Sequence, residues 1–538
     1  MGLKKRVLSL VLLLCLSLIV FACSKNSGTN TNTNSSGNET TGQSGQTSNF
    51  NETGFPIVNE PITLEMMGRK SPIQPDWADM GFFQKMEELT NIKFTFRIAT
   101  SDDYTQKKQL AFASLDLPDV FYAAELTLEE EADYGSQGLL IPLEDLIDKY
   151  APNLKALMDQ NPEIKASITT PDGHIYALPG IDQNITSKTP IMWMNKPWMD
   201  ALGINTPETM EDFYQMLKAF KEKDPGSVGD VIPLTASSAD ELRLGLLPNF
   251  GLVQDGGIYE DNGTVKYAFV QEEYKAYLKF MNRLYSEQLL DNQMFSHTWE
   301  QFVAKGPRVG ILSTWPIVML GFTDLNEALK YPVLPPMTSE TNSKKLTQGM
   351  HEIRRGRAAI TKENKYPEAT MRWLDYAAYS EEGTIMARLG IEGETYEWNE
   401  EGQWVLLSKD GLSTTETNAK HAPGAGANPP MNLTREFFEK EGGNPVILEI
   451  YKWVQAELIP YARTPFPLVY FTSEEQEVVR SLKPDIDTYF KQMEAKFITG
   501  AESIDAKWDE YVRTLESLGL ADYLAAYQSA YDRWAASR

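Results

Sequence analysis

The chain has 538 residues, a formal net charge of −25 and two cysteines. Such acidity repels nucleic acid and anionic headgroups alike, which argues against nucleic-acid binding and against electrostatic attachment to a membrane. Cys15 and Cys23 both lie near the N-terminus, and His174, His297, His351 and His421 are scattered. A disulfide framework, a Cys-based zinc site and a His-rich metal site are therefore not expected.

Lys4, Lys5 and Arg6 precede an apolar and small-residue run from Val7 to Phe21, followed by Ala22 and Cys23. Positive, then apolar, then small is the layout of a secretion signal. The run of about 15 residues is short of the ~20 that a helix needs to span the hydrocarbon core. Val20-Phe21-Ala22-Cys23 resembles the bacterial lipobox, although Phe21 replaces the usual small residue. That resemblance implies a signal peptide over 1–22 and lipid on Cys23. Residues 24–54 are dominated by Ser, Gly, Asn, Thr and Gln. They cannot bury enough apolar surface to offset their ordering entropy, so 23–54 is expected as a lipidated, disordered leash with a reach on the order of 30 Å. Loss of the three basic signal residues takes the formal charge from −25 to about −28.

The remaining body, roughly 480 residues, is too large for one hydrophobic core and should form two lobes. Ile62–Met67 reads as a first strand and Ile92–Ile98 as a second, with helical spacing over Gly81–Leu89 between them. Strand, helix, strand predicts a parallel α/β sheet. A helix near Tyr104–Ala113 and a short strand at Asp119–Tyr122 follow. At the other end, Trp508, Tyr511, Val512, Leu515 and Leu518 recur at helical spacing, as do Tyr523, Leu524, Tyr527, Tyr531 and Trp534. Gly519 is placed to separate two amphipathic helices that pack on the body.

Several segments, in order, resemble the extracellular solute-binding lipoproteins of ABC importers, in their oligosaccharide-binding group. They are Leu117-Pro118-Asp119-Val120-Phe121, Gly138 to Ile147, Asp172 to Pro179, and Met192 to Trp198. Leu202-Gly203-Ile204 with Pro207-Glu208-Thr209, Lys305 to Trp315, Tyr366 to Gly383 and Gly390 to Tyr396 continue the series. The resemblance implies an α/β, two-lobed periplasmic-binding-protein-like fold, each lobe a mostly parallel sheet flanked by helices, with a hinge between lobes. The expected division is lobe 1 over 55–185 with part of 320–400, and lobe 2 over 190–320 with 430–538.

It also implies a ligand held between the lobes. A sugar presents apolar C–H faces and hydroxyl edges, so its cleft needs flat aromatics and planar polar groups. Trp315 ends a strand that points into the cleft in the family, and Glu125 follows a strand end where first-lobe contacts fall. Asp76 and Trp77 sit in the loop after the first strand, at the carboxyl end where ligands bind in α/β sheets. Trp193 and Trp299 are weaker aromatic candidates, since an aromatic on an apolar strand is usually core. Arg357, in the cluster with Arg354 and Arg355, could make a forked contact to a ligand carboxylate; charge balance on an acidic surface is the preferred alternative. Asp119 is read as bracing its strand, and Pro423 to Pro430 as a flexible connection.

Some members carry an acidic calcium loop before an Ile-Pro-Leu strand. Here Asp224 to Leu234 offers two carboxylates where calcium takes six to eight oxygens, so no cofactor is expected and a plain turn is preferred to calcium. The reading is a non-enzymatic, monomeric receptor. It binds an oligosaccharide, meets the transmembrane subunits of an ABC permease and is held at the outer face of a Gram-positive cell membrane by lipid. A secreted glycoside hydrolase, or an adhesin or sensor partner on the same fold, are the alternatives. Carboxylate pairs are inevitable among 75 acidic residues and decide nothing. The sequence contains no Gly-x-Ser-x-Gly, His-Glu-x-x-His or P-loop motif.

Overall fold

The computed structural model describes residues 48–185, 191–314, 325–443 and 445–538. The expected signal peptide, Cys23 and Trp315 lie outside them.

The first strand, β1 (Ile62–Lys70), buries Leu64 and Met66 on one face and Met67 on the other. The helix Gly81–Thr90 then turns Phe82, Phe83 and Met86 inward and ends on Asn91 in the left-handed conformation, φ 59°. The chain returns as β2 (Ile92–Thr100), parallel and in register with β1 from Ile62 opposite Ile92 to Lys70 opposite Thr100. Further strands are β3 (Val120–Tyr122), β4 (Leu178–Asp182), β5 (Ile191–Met194), β6 (Ile232–Ala236), β7 (Val309–Thr314), β8 (Ile353–Ile360) and β9 (Asn432–Leu433).

They form a six-stranded sheet ordered β9-β4-β8-β3-β1-β2 and a three-stranded sheet ordered β5-β7-β6. Only β8 runs against its neighbours in the first, and only β5 in the second. The carboxyl ends of β1, β3 and β4 therefore lie together at one end of the larger sheet.

Buried apolar residues fall into two main clusters. One is built on the larger sheet; the other holds most of 192–337 and the C-terminal helices. Alternation along the small sheet divides it between them: Ile191, Trp193 and Leu312 join the first cluster, while Met192, Met194 and Ile311 join the second. The last helices, Ile504–Ser517 and Leu520–Ala536, bury Trp508, Tyr511, Tyr523 and Trp534 in the second. Gly519 separates them at φ +92°.

Two boundaries differ from expectation. The chain from Met431 to Leu458, expected in lobe 2, has its buried residues in the first cluster. The cause is the pairing of β9 with β4 and the inward face of the helix Pro445–Glu457, which carries Val446, Ile450 and Val454. Second-cluster packing resumes only at Phe466. At the other end, the folded body begins at Asn49, inside the segment expected as leash. Phe50 pairs with Val58 and sets its ring 5.3 Å from that of Tyr150. Arg372 closes the turn with a 2.9 Å hydrogen bond to the Gly54 carbonyl. Among the described residues no helix is long and apolar enough to cross a membrane.

Candidate functional site

Beyond β3 the chain bends sharply: Ala123 and Glu125 are both left-handed, at φ +51° and +45°. Each such non-glycine residue costs on the order of 1 kcal/mol or more, which the surrounding contacts must offset. Those contacts come from β8. Ala124 N–H donates to the Arg357 carbonyl at 2.9 Å and Leu126 N–H to the Gly356 carbonyl at 3.0 Å. β8 accommodates this with a bulge between Arg354 and Ala358. Gly356 has φ +67°, and a Cβ there would stand 2.2 Å from the Leu126 carbonyl oxygen, so the bulge requires glycine.

The result gathers charged and amide groups from five chain segments. Arg69, near the end of β1, donates from Nη1 to Glu125 Oε1 at 2.7 Å. Asn428 Nδ2 donates to the same oxygen at 2.9 Å. Arg357 lies 3.8 Å from it, and Arg354 lies 3.8 Å from Asp182 at the end of β4. Burial pushes the Arg357 guanidinium down from its ordinary value, Glu125 pulls it back up, and Arg354 and Arg69 push it down again. It remains charged, because guanidinium does not give up its proton in proteins. The carboxylate and the guanidinium donors sit side by side and partly exposed, with side-chain exposures of 35 % for Glu125 and 20 % for Arg357. A carboxylate next to planar N–H donors complements neighbouring hydroxyls, which both donate and accept.

The structure sorts the expected site residues. Glu125 and Arg357 are brought together. Asp76 is exposed in the loop after β1 and pairs with Lys70 at 2.9 Å. Trp77 is a correction: its side chain is fully buried, its ring is stacked 5.2 Å from Phe83, and its edge packs against Tyr122. It fills the space that Gly68 leaves open, since a Cβ on Gly68 would meet the Trp77 ring at 2.4 Å. Trp193 is a second correction. It is also fully buried, with Nε1 donating to the Thr314 carbonyl at 3.3 Å, because β5 alternation directs it into the first cluster. Arg355 points away from its two neighbours and lies over Tyr470 at 4.7 Å. Asp119 accepts the Glu65 N–H at 2.7 Å and so ties β3 to β1.

Arg69, Asp182 and Asn428 were not foreseen. The loop expected as a flexible connection is fastened instead by Gln74, whose Nε2 donates to the Ala422 and Pro423 carbonyls at 3.2 and 2.9 Å. That places Asn428 against Glu125, 303 residues away in sequence, where no local pattern could reveal it. Among the described residues no group of three or more His, Cys, Asp or Glu is arranged to hold a metal ion.

Two cored sheets, with polar side chains gathered where the strands of the larger one end, define a two-lobed α/β binding protein. The chain belongs to the bacterial extracellular solute-binding protein family, whose model matches residues 69–384. It is 31 % identical over 518 residues to the fructooligosaccharide ABC transporter substrate-binding protein FusA of Streptococcus pneumoniae, covering 90 % of this chain and 92 % of that one. The solved complex of S. pneumoniae FusA with kestose superposes with a TM-score of 0.71 at 28 % identity, covering 89 % and 100 % of the two chains. The same values hold for a FusA EF-hand mutant in complex with fructo-nystose. A solute-binding protein of Bifidobacterium longum infantis, described as binding HMO, has a TM-score of 0.74 at 22 % identity over 88 % and 99 % of the chains, a likeness of fold.

Proposed function

We propose that this protein is the substrate-capturing subunit of an ABC importer for oligosaccharides, with fructooligosaccharides of the kestose type as the first class to test. The supporting observation is the conjunction of two facts. The likeness to FusA runs through nearly the whole chain, and the strand ends of the larger sheet carry the Arg69–Glu125–Asn428–Arg357 cluster. In this reading those side chains bind hydroxyl edges from the first lobe, Asp182 and Arg354 extend the polar wall, and Asp76 contributes from the rim. Trp315 supplies a stacking face from the second lobe. The ligand is released unchanged to the permease, and the monomeric receptor does no chemistry on it.

The mature chain begins at lipidated Cys23 on the outer face of the cell membrane, and the segment up to residue 48 is the leash. Mass spectrometry of the mature N-terminus tests the anchor: a diacylglyceryl-cysteine at Cys23 supports it, and an unmodified N-terminus removes it. Calorimetric titration with kestose and longer fructooligosaccharides, followed by chromatography of the sugar, tests the function. Saturable binding with the sugar recovered intact supports it; appearance of shorter products sinks it.

A further inference from the structure

An EF-hand is named for FusA, and the acidic turn before β6 is where a cation would be sought in this chain. Calcium takes six to eight oxygens, and each must have lone pairs to spare. The turn between the helix Met210–Lys223 and β6 has two carboxylates, Asp224 and Asp230. Asp224 is left-handed at φ +41°, and its two oxygens accept the N–H groups of Val228 and Gly229 at 2.8 and 2.9 Å. Asp230 is paired with Arg308 Nη1 at 2.8 Å.

A third carboxylate, Asp291, lines the same cavity of about 520 Å³. It is held by the Lys305 ammonium, by the Thr235 hydroxyl at 2.7 Å and by the Gln293 N–H at 3.0 Å. Burial pushes Asp291 up, but the Lys305 and Thr235 bonds outweigh it and leave the carboxyl below its usual range. Lys305 has a side-chain exposure of 4 % and also reaches His297 Nδ1 at 2.6 Å. His297 must then accept at Nδ1 and carry its proton on Nε2, which faces the Ser237 carbonyl at 3.2 Å. Lys221 adds a third cation at the cavity wall, fixed on the Glu287 carbonyl at 2.6 Å.

Three carboxylates thus meet three cations, and each carboxylate already accepts from the chain's own donors. A divalent ion would have only three carboxylates to share and would sit among the charges of Lys221, Arg308 and Lys305. We infer that this turn is closed by the protein's own donors in place of a metal, with Arg308 and Lys305 as its cations, and that the receptor is calcium-independent. This inference stands apart from the sugar assignment, because its test needs no ligand.

The test is thermal unfolding of the mature protein after chelation, in excess EDTA and in excess calcium chloride, with calorimetric titration of calcium alone. Calcium bound at a hundred times its dissociation constant would raise Tm by several degrees. The expected result is the same Tm in both solutions, within about a degree, and no saturable heat. A calcium-dependent rise in Tm that the substitution Asp230→Asn removes would overturn the inference.

Discussion

Replacing Glu125 with Gln separates a ligand contact from a structural strut, because the two roles carry different energies here. The Glu125 side chain is 35 % exposed, so its ion pair with Arg69 is screened, and losing the charge costs no more than about 1 kcal/mol of stability. In a chain of this size that is at most a few degrees in Tm. The variant is close in shape, and Gln meets the backbone at φ +45° no worse than Glu does. A charge-assisted hydrogen bond from a sugar hydroxyl to the carboxylate is worth about 1.5–3 kcal/mol. Its loss weakens binding between about tenfold and a hundredfold. The assay pairs calorimetric titration of kestose with thermal unfolding of the empty protein. An unchanged Kd together with a Tm lowered by many degrees would make Glu125 a brace for the bend after β3 and remove it from the sugar site.

Arg357→Ala should weaken sugar binding at least as much as the Glu125 variant and leave the unfolding temperature nearly unchanged; the same two measurements decide. Trp77→Ala should do the reverse, removing a fully buried ring and costing about 3–5 kcal/mol of stability by denaturant unfolding. A small loss would place the ring outside the core. Glu131 is buried, hydrogen-bonded to the Tyr470 hydroxyl at 2.8 Å, and faces Arg355, with Glu130 and Lys108 nearby. Burial pushes its carboxyl up to about 7, against the pull of Arg355 and Tyr470. The folded state then holds this proton more tightly than the unfolded chain, so stability falls as pH rises from the ordinary carboxylate range to about 7 and levels off above it. Glu131→Gln should remove that decline, a difference of about 2.5 kcal/mol between pH 5 and pH 8; parallel unfolding profiles for the two proteins would exclude it.

What could be read from the sequence follows from periodicity. β1, the helix Gly81–Thr90, β2 and the two last helices all begin within a few residues of where the apolar spacing put them. Glu125 and Arg357 were both legible as candidates, one from the family resemblance of the strand end before it and one as a basic residue in an acidic chain. Their meeting was not, because it depends on the bulge at Gly356 and on pairing between strands more than 200 residues apart. Trp77 and Trp193 show the limit from the other side. A tryptophan beside a strand end carries the same local pattern whether it faces solvent or fills the gap over Gly68. Arg355 lies one step from Arg354 and two from Arg357; alternation turns it from the first and the bulge at Gly356 from the second, toward Tyr470.

The most direct test of the account is calorimetric titration of the mature protein with kestose, run beside the Glu125→Gln and Arg357→Ala variants. The account predicts one saturable site in the unaltered protein, weakened at least tenfold in each variant, with the sugar recovered intact. Binding of equal strength in all three proteins would contradict the placement of the site. No binding of kestose or of any longer fructooligosaccharide would contradict the ligand class.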